Sequence, residues 1–166
     1  MSDLTVTKPS EEPIVVMTRL FDAPRERIFR AYTDPALMAR WWGPHGFTIE
    51  VCELNVRPGG AWRIHHRAPD GSEYRFKGQY REVAEPERLV STFGMDGMFE
   101  DKLIVDSLTL EEKDGRTRLT AVSRFESMAD RDAMLETGME EGAGQSFDRL
   151  ADLLRTFGRD ASDPHP

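Results

Sequence analysis

The sequence predicts an α+β domain in which a curved antiparallel sheet of about seven strands wraps around a long C-terminal helix. Three observations support this fold class. Two short helical segments follow the first strand, six segments of alternating polarity then succeed one another between turn residues, and the last long segment repeats apolar residues at helical spacing. A single amphipathic helix covers one face of such a sheet only if the sheet curls around it.

Local signals predict the first strand and the two short helices. Residues Ile14 to Asp22 are rich in β-branched and aromatic side chains, and Pro24 suits the first turn of a helix. Asp34 and Pro35 then supply an N-cap and a first-turn proline for a second helix, Ala36 to Trp42. Both helices therefore lie between strands 1 and 2.

Turn residues separate the remaining six strands. Asp-Gly pairs are strong hairpin signals, and two of the predicted turns are such pairs. The alternation of apolar residues slips at Cys52 and Glu53, which predicts a β-bulge that bends the sheet. The predicted turns are Pro58-Gly59-Gly60, Asp70-Gly71, Glu85-Pro86 and Asp114-Gly115.

The last predicted element is one long helix from Asp130 to Phe157, preceded by Ser127 as its N-cap. Gly138, Gly142 and Gly144 fall in its interior, where each costs about 1 kcal/mol relative to Ala. Such a cost is tolerated where the backbone must approach a sheet or a ligand closely. The apolar face of this helix is Leu135, Met139, Phe147, Leu150, Leu154 and Phe157.

Composition narrows the classes of function. The 166 residues carry a formal net charge of -8, which works against nucleic-acid binding. Cys52 is the only cysteine, and no signal peptide or membrane-spanning stretch is present, so we expect a cytoplasmic protein without disulfides or a membrane partner. We expect one domain at 14–157, flexible tails at 1–13 and 158–166, and either a monomer or a homodimer.

Strand alternation assigns an aromatic inner face to the predicted sheet. This face also carries hydroxyl groups and an imidazole, which need hydrogen-bond partners within the protein or from a ligand if water does not reach them. A ligand in an apolar cavity between sheet and helix would supply partners, whereas in an ordinary core these side chains would satisfy one another. The inward-facing residues are Trp62, Ile64, His66, Tyr74, Phe76, Tyr80, Ser91 and Phe93, joined by Leu119, Ala121 and Phe125.

Six different short motifs follow one another along the chain in a specific order: Asp22-Ala23-Pro24, Arg40-Trp41-Trp42-Gly43-Pro44, Arg57-Pro58-Gly59-Gly60, Asp70-Gly71, Pro86-Glu87-Arg88-Leu89-Val90 and Gly138-Met139 through Gly142. From about Ile14 to Leu154 the sequence resembles the START-like (SRPBCC, helix-grip) superfamily, in the branch named after the activator of heat-shock chaperone ATPase. The resemblance implies the helix-grip fold and a cavity for lipids, sterols, polyketides or other apolar molecules. It implies no single activity.

The resemblance also indicates where a ligand would lie. The branch often has a bulky aromatic residue directly after Gly142, where this chain has Ala143, so we expect more room beside the helix. Trp41 and Trp42 end the second helix near the cavity entrance, next to a glycine-containing loop that can move. The predicted ligand-binding residues are Trp41, Trp42, Trp62, Ile64, His66, Tyr74, Phe76, Tyr80, Ser91, Phe93, Met139, Gly142, Ala143, Ser146 and Phe147.

Binding of a small apolar or aromatic molecule is the leading hypothesis, and an enzyme that uses the same cavity is an alternative. The sequence contains no catalytic signature. His66, acting with Tyr74 or Tyr80, is the candidate general base of a cyclase or hydrolase. A metal site is not expected, because His65 and His66 are adjacent on a strand and point to opposite faces. No cofactor is expected either.

A third hypothesis is a protein-interaction or co-chaperone-like module. The long helix carries an acidic face that could meet a protein partner, although most such faces are only solvated surface. The acidic residues are Asp132, Glu136, Glu140 and Glu141.

Overall fold

A computed structural model describes residues 4–98 and 100–159 and confirms the helix-grip fold. Eight antiparallel strands form one curved sheet in the order β1-β2-β8-β7-β6-β5-β4-β3. The elements are β1 (Thr5–Thr7), β2 (Ile14–Phe21), α1 (Arg25–Thr33), α2 (Pro35–Trp41), β3 (Thr48–Leu54), β4 (Ala61–Arg67), β5 (Glu73–Ala84), β6 (Arg88–Met95), β7 (Ile104–Lys113), β8 (Arg116–Arg124), α3 (Met128–Leu135) and α4 (Met139–Arg159).

The two short helices lie where the sequence predicts them, between the first long strand and β3. Pro24 precedes α1, and the Asp34 side chain accepts a hydrogen bond from the amide of Ala36 at 3.0 Å, which caps α2. The hydroxyl of Thr117 donates to the carbonyl of Ala23 at 2.7 Å. This bond joins the turn before α1 to β8.

The β-bulge of the third strand lies earlier than predicted. The register between β3 and β4 shifts between Ile49 and Val51, not at Cys52 and Glu53. Glu50 is the extra residue, and Arg67 donates to both of its carboxylate oxygens, at 2.8 and 3.1 Å. Because the alternation shifts by one residue at Glu50, Val51 lies opposite the outward residue His65. Cys52 then lies opposite Ile64, on the inner face of the sheet.

The C-terminal helical region consists of two helices, so the prediction of one helix from Asp130 to Phe157 is wrong. Ser127 does cap α3, accepting from the amide of Asp130 at 3.1 Å. Gly138 separates α3 from α4 and has a φ of 86°, a left-handed conformation that only glycine adopts without strain. Gly142 and Gly144 remain inside α4, but Gly138 does not.

Part of the N-terminal segment that was expected to be a flexible tail is a strand. β1 pairs with β2, with Thr5 opposite Thr18, and therefore raises the number of strands to eight. Arg131 of α3 donates to the carbonyls of Pro9 and Glu12, which attaches the segment after β1 to the domain. Residues 1–3 and 160–166 lie outside the described part of the chain.

The core lies between the inner face of the sheet and the helices. Leu119 of β8 and Leu150 of α4 are completely buried, and the rings of Phe21 and Phe147 meet edge to face at 6.2 Å. Arg19 donates to Asp148 at 2.8 Å, which joins β2 to α4. Within residues 4–98 and 100–159, no helix is both long and apolar enough to cross a membrane.

Candidate functional site

Polar side chains form a row across the inner face of the sheet. Ser123 lies opposite Asp106, Asp106 lies opposite Ser91, and Ser91 lies opposite Tyr80, so that four neighbouring strands contribute one residue each. Asp106 shares the inward phase with Ile104 and Leu108, both buried. We call Tyr80, Ser91, Asp106 and Ser123 the polar row.

Asp106 is the charged member of the polar row. The residue as a whole is half-buried, but its Oδ1 is buried and has no hydrogen-bond partner among the described residues. Burial raises the pKa of this carboxyl from 3.8 to about 6, and the Ser123 hydroxyl partly opposes that shift because it stabilises the charged form. Burial and the charge of Asp106 raise the pKa of Tyr32, on α1, far above its usual value. Tyr32 therefore lies near the row.

Aromatic rings lie at one end of the inner face, around His66. The centroid of the imidazole ring is 4.8 Å from Phe47 and from Phe76, and 5.5 Å from Trp42 and from Tyr74. His66 is buried, and its Nδ1 has no hydrogen-bond partner among the described residues. Burial lowers the pKa of His66 to about 4, so the ring is neutral at neutral pH. We call these five residues the aromatic cluster.

The loop between α2 and β3, residues 42–47, is held against α4 by hydrogen bonds. Ser146 accepts from the amide of Gly43 at 2.7 Å, and Gln145 accepts from the amide of His45 at 3.0 Å. Arg149 donates to the carbonyl of Gly43 at 2.9 Å. This α2–β3 loop places Trp42 and Phe47 on the aromatic cluster, so α4 fixes the cluster through the loop.

Comparison with known proteins decides the family. Residues 22–155 match the family described as "Activator of Hsp90 ATPase homolog 1-like protein". The chain belongs to this family. A search of curated proteins found no match. The matched residues extend from the residue directly after β2 to the C-terminal part of α4, so the match includes both the polar row and the aromatic cluster.

Solved structures of this family superpose on most of the chain. Protein Ms6760 from Mycobacterium smegmatis is 28% identical, with a TM-score of 0.82 over 91% of this chain and 96% of that one. A protein from Arthrobacter aurescens is 27% identical, with a TM-score of 0.82 over 93% of each chain. An HSP90 activator from Plasmodium falciparum is 20% identical, with a TM-score of 0.52 over 67% of this chain and 71% of that one, and shows the fold alone.

The predicted ligand-binding residues divide into buried and half-buried sets. Tyr74 belongs to neither, since it is 40% exposed at the start of β5 although its ring contacts His66. The buried residues are Trp41, Trp62, Ile64, His66, Phe76, Tyr80, Ser146 and Phe147. The half-buried residues are Trp42, Ser91, Phe93, Met139, Gly142 and Ala143.

Four residues of the site were not predicted: Asp106, Ser123, Tyr32 and Phe47. Asp106 and Ser123 are polar residues in the inward phase of β7 and β8, and that phase is the signal that identifies them. Tyr32 follows Ile28 and Phe29 at helical spacing, which predicts only that it lies on the apolar face of α1. No sequence signal places its hydroxyl near Asp106, because that proximity depends on how α1 packs on the sheet.

A groove of about 680 Å³ lies beside Trp62 on β4, β5 and β6. Arg63, Lys77 and Arg81 line it and are exposed, so most of it belongs to the outer face of the sheet. Trp62 reaches across Gly78 to donate to the carbonyl of Thr92 at 3.1 Å. The indole nitrogen therefore has a partner without a ligand.

The site offers few groups for chemistry. Burial raises the pKa of the Cys52 thiol to about 11, which keeps it protonated and unreactive. His66 forms no hydrogen bond with Tyr74 or Tyr80, its two proposed catalytic partners, within the described residues. In the same part of the chain, no three His, Cys, Asp or Glu side chains come together as a metal site. The START-like fold commonly serves binding of hydrophobic ligands or activation of Hsp90.

Proposed function

We propose that this family member binds a small apolar or aromatic molecule between the inner face of its sheet and the N-terminal half of α4. The observation that carries the proposal is a difference in burial along the inner face. Leu108, Leu110 and Leu119 are buried, whereas several residues in the same inward phase of β6, β7 and β8 are only half-buried, although Ile104, beyond Asp106, is buried again. The half-buried inward residues are Ser91, Phe93, Asp106, Ala121 and Ser123.

The helix facing this region is also incompletely covered. Phe147, Leu150 and Leu154 on α4 are buried, but Ala143 and Met139, on the same face one and two turns before Phe147 respectively, are half-buried. Protein cores are normally packed to the density of organic crystals. Partial exposure on two facing surfaces therefore supports a space that a ligand would fill.

Two buried polar atoms on the inner face support the same proposal. His66 Nδ1 and Asp106 Oδ1 have no hydrogen-bond partner within the described residues. Leaving a buried polar group unsatisfied costs about 1 to 3 kcal/mol. A ligand that donates a hydrogen bond to either atom would remove part of that cost, which is how binding sites commonly combine apolar walls with a few polar contacts.

A titration with 2-naphthol, followed through backbone amide chemical shifts, tests the proposal. We expect saturable shifts at Ser91, Ala121 and Ala143. Ala143→Phe fills the proposed space and should abolish them, while Ala129→Phe, on the exposed surface of α3, should leave them unchanged. Binding that survives Ala143→Phe in a folded protein would refute the proposed location.

Activation of Hsp90 is a second candidate, favoured by the family match. The acidic surface of α3 and α4 supports it only in part, because Lys8 already pairs with Glu140 at 3.2 Å and Arg131 with Asp132 at 3.2 Å. Glu136 and Glu141 are exposed and form no ion pair with a described residue. The double variant Glu136→Lys, Glu141→Lys should then abolish binding to Hsp90. Replacement of an exposed acid elsewhere on the protein by lysine should leave that binding unchanged.

For that comparison, Glu111→Lys is the matched control, since Glu111 is an exposed acid on β7. Equal binding of Hsp90 by all variants would exclude this acidic surface as the contact.

A further inference from the structure

Asp106 brings a negative charge to the inner face without a positive partner. None of the ion pairs formed within residues 4–98 and 100–159 involves this carboxylate. With a pKa of about 6, most of it is charged at neutral pH. A buried charge is costly unless it is paired, so the folded chain bears a penalty that a bound cation would offset.

Serine hydroxyl groups lie on both sides of this carboxylate in the sheet, and Tyr32 of α1 lies near it. Ser91 and Ser123 are its neighbours in the sheet register, on β6 and β8 respectively. Tyr32 approaches from α1, near enough for the charge of Asp106 to affect its pKa. Each hydroxyl oxygen can accept a hydrogen bond. The carboxylate and the two serines together offer three acceptors, which is the number of donors on a primary ammonium group.

Apolar groups border the polar row. Phe93 and Ile104 form the next pair of inward residues along β6 and β7. On the opposite side, Leu108 lies next to Ala121 in the register of β7 and β8. A ligand whose polar group lies on the row would therefore place its remaining atoms against apolar side chains.

We infer that the natural ligand of this site is an apolar or aromatic primary amine, whose ammonium group binds the carboxylate of Asp106 within the polar row. The inference rests on the proposed function and specifies the chemical class of its ligand. A neutral alcohol of the same size would leave the charge of Asp106 uncompensated. A carboxylic acid would place a second negative charge beside it, and like charges at such short range repel strongly.

Three small molecules of one shape test the inference: 2-phenylethylamine, 2-phenylethanol and phenylacetate. Their dissociation constants are measured at pH 7.5 by amide chemical shifts with the full chain. We expect the amine to bind at least tenfold more tightly than the alcohol and phenylacetate to bind most weakly. Asp106→Asn should reduce amine affinity to that of the alcohol and change alcohol affinity less than about threefold. Glu111→Gln, on the exposed face of the same strand, should change neither.

The outcomes separate this inference from the proposed function. If the alcohol binds in a manner sensitive to Ala143→Phe but the amine binds no better, the ligand class is wrong and the binding site remains. An amine preference that persists in Asp106→Asn would also overturn the role of Asp106. If none of the three molecules binds the folded wild-type protein, both proposals fail. Ser123→Ala removes one of the three acceptors and retains the carboxylate, so it should weaken binding of the amine more than binding of the alcohol. An equal effect on both molecules would overturn the role of the polar row, even if Asp106→Asn proves poorly folded.

Discussion

Ser146 accepts a hydrogen bond from the amide of Gly43 at 2.7 Å, although the two residues are 103 positions apart. The same hydroxyl donates to the carbonyl of Trp41 at 3.3 Å. Both Gly43 and Ser146 are buried, so water does not replace these bonds when the side chain is removed. The C-terminal helix thus controls the position of the α2–β3 loop and, through it, of the aromatic cluster.

Ser146→Ala should therefore destabilise the fold and loosen this loop. We expect a loss of about 1 to 3 kcal/mol in the free energy of unfolding, because a buried amide is left without a partner. Urea denaturation measures the loss, and hydrogen exchange at Gly43 should become faster. Ser107→Ala is the matched control, since Ser107 is a half-buried outward residue of β7. Unchanged exchange at Gly43 would show that Ser146 does not hold the loop.

Gly78 should tolerate no side chain. A Cβ atom at this position would lie 2.0 Å from the carbonyl oxygen of Thr92 and 2.4 Å from Nε1 of Trp62. Gly78→Ala must therefore displace β6 or expel the indole, at a cost of about 3 kcal/mol or more. At Gly94, on the neighbouring strand, the nearest atom would be 3.8 Å away, so Gly94→Ala should be close to neutral. Thermal unfolding of the two variants provides the comparison.

Asp106 and His66 should give opposite pH dependences of stability. Folding raises the pKa of Asp106 from 3.8 to about 6, so the folded state binds the proton of this carboxyl more tightly than the unfolded state does. The protonated carboxyl therefore contributes to the free energy of unfolding at low pH, and this contribution is lost as the pH rises from about 4 to about 6. His66 has a pKa lowered from 6.5 to about 4, so its contribution is lost as the pH falls across that interval. In the wild type the two slopes largely cancel.

Single substitutions should reveal each slope. Relative to wild type, Asp106→Asn should gain about 2 to 3 kcal/mol of stability between pH 4 and pH 6, because the substitution removes a carboxyl whose pKa rises by about 2 on folding. His66→Phe should gain stability at pH 4 relative to pH 6.5, for the opposite reason. Urea denaturation at several pH values checks both. Parallel curves for all three proteins would mean that neither group titrates abnormally in the folded chain.

Much of the architecture could be predicted because its signals are local. Asp34 and Pro35 define the start of α2, and Ser127 defines the start of α3, through the residue itself and its next few neighbours. The position of the bulge in β3 could not be predicted. Ile49, Val51 and Cys52 are all apolar or nearly so, and their order does not show which one leaves the inward phase.

The candidate site was predicted less completely than the fold. Alternation identified Ser91 and Tyr80, but the same alternation, continued through Leu110 and Leu108, also places Asp106 inward. An acidic residue at an inward position of a strand therefore indicated a polar group inside the domain. The absence of a partner for Oδ1 could not be predicted, because it depends on where every neighbouring polar group lies in three dimensions.

Glycine-to-alanine substitutions distinguish two helices from one. If Gly138 were inside a continuous helix, as the sequence pattern suggests, Gly138→Ala would stabilise the protein by about 1 kcal/mol. With its φ of 86°, the same substitution should instead cost about 1 kcal/mol or more, because alanine is strained in the left-handed region. Gly144→Ala, inside α4, should stabilise the protein by up to about 1 kcal/mol, since its Cβ would meet only Leu4 at 3.8 Å. Opposite changes in melting temperature for the two variants would support the break at Gly138, and two equal increases would contradict it.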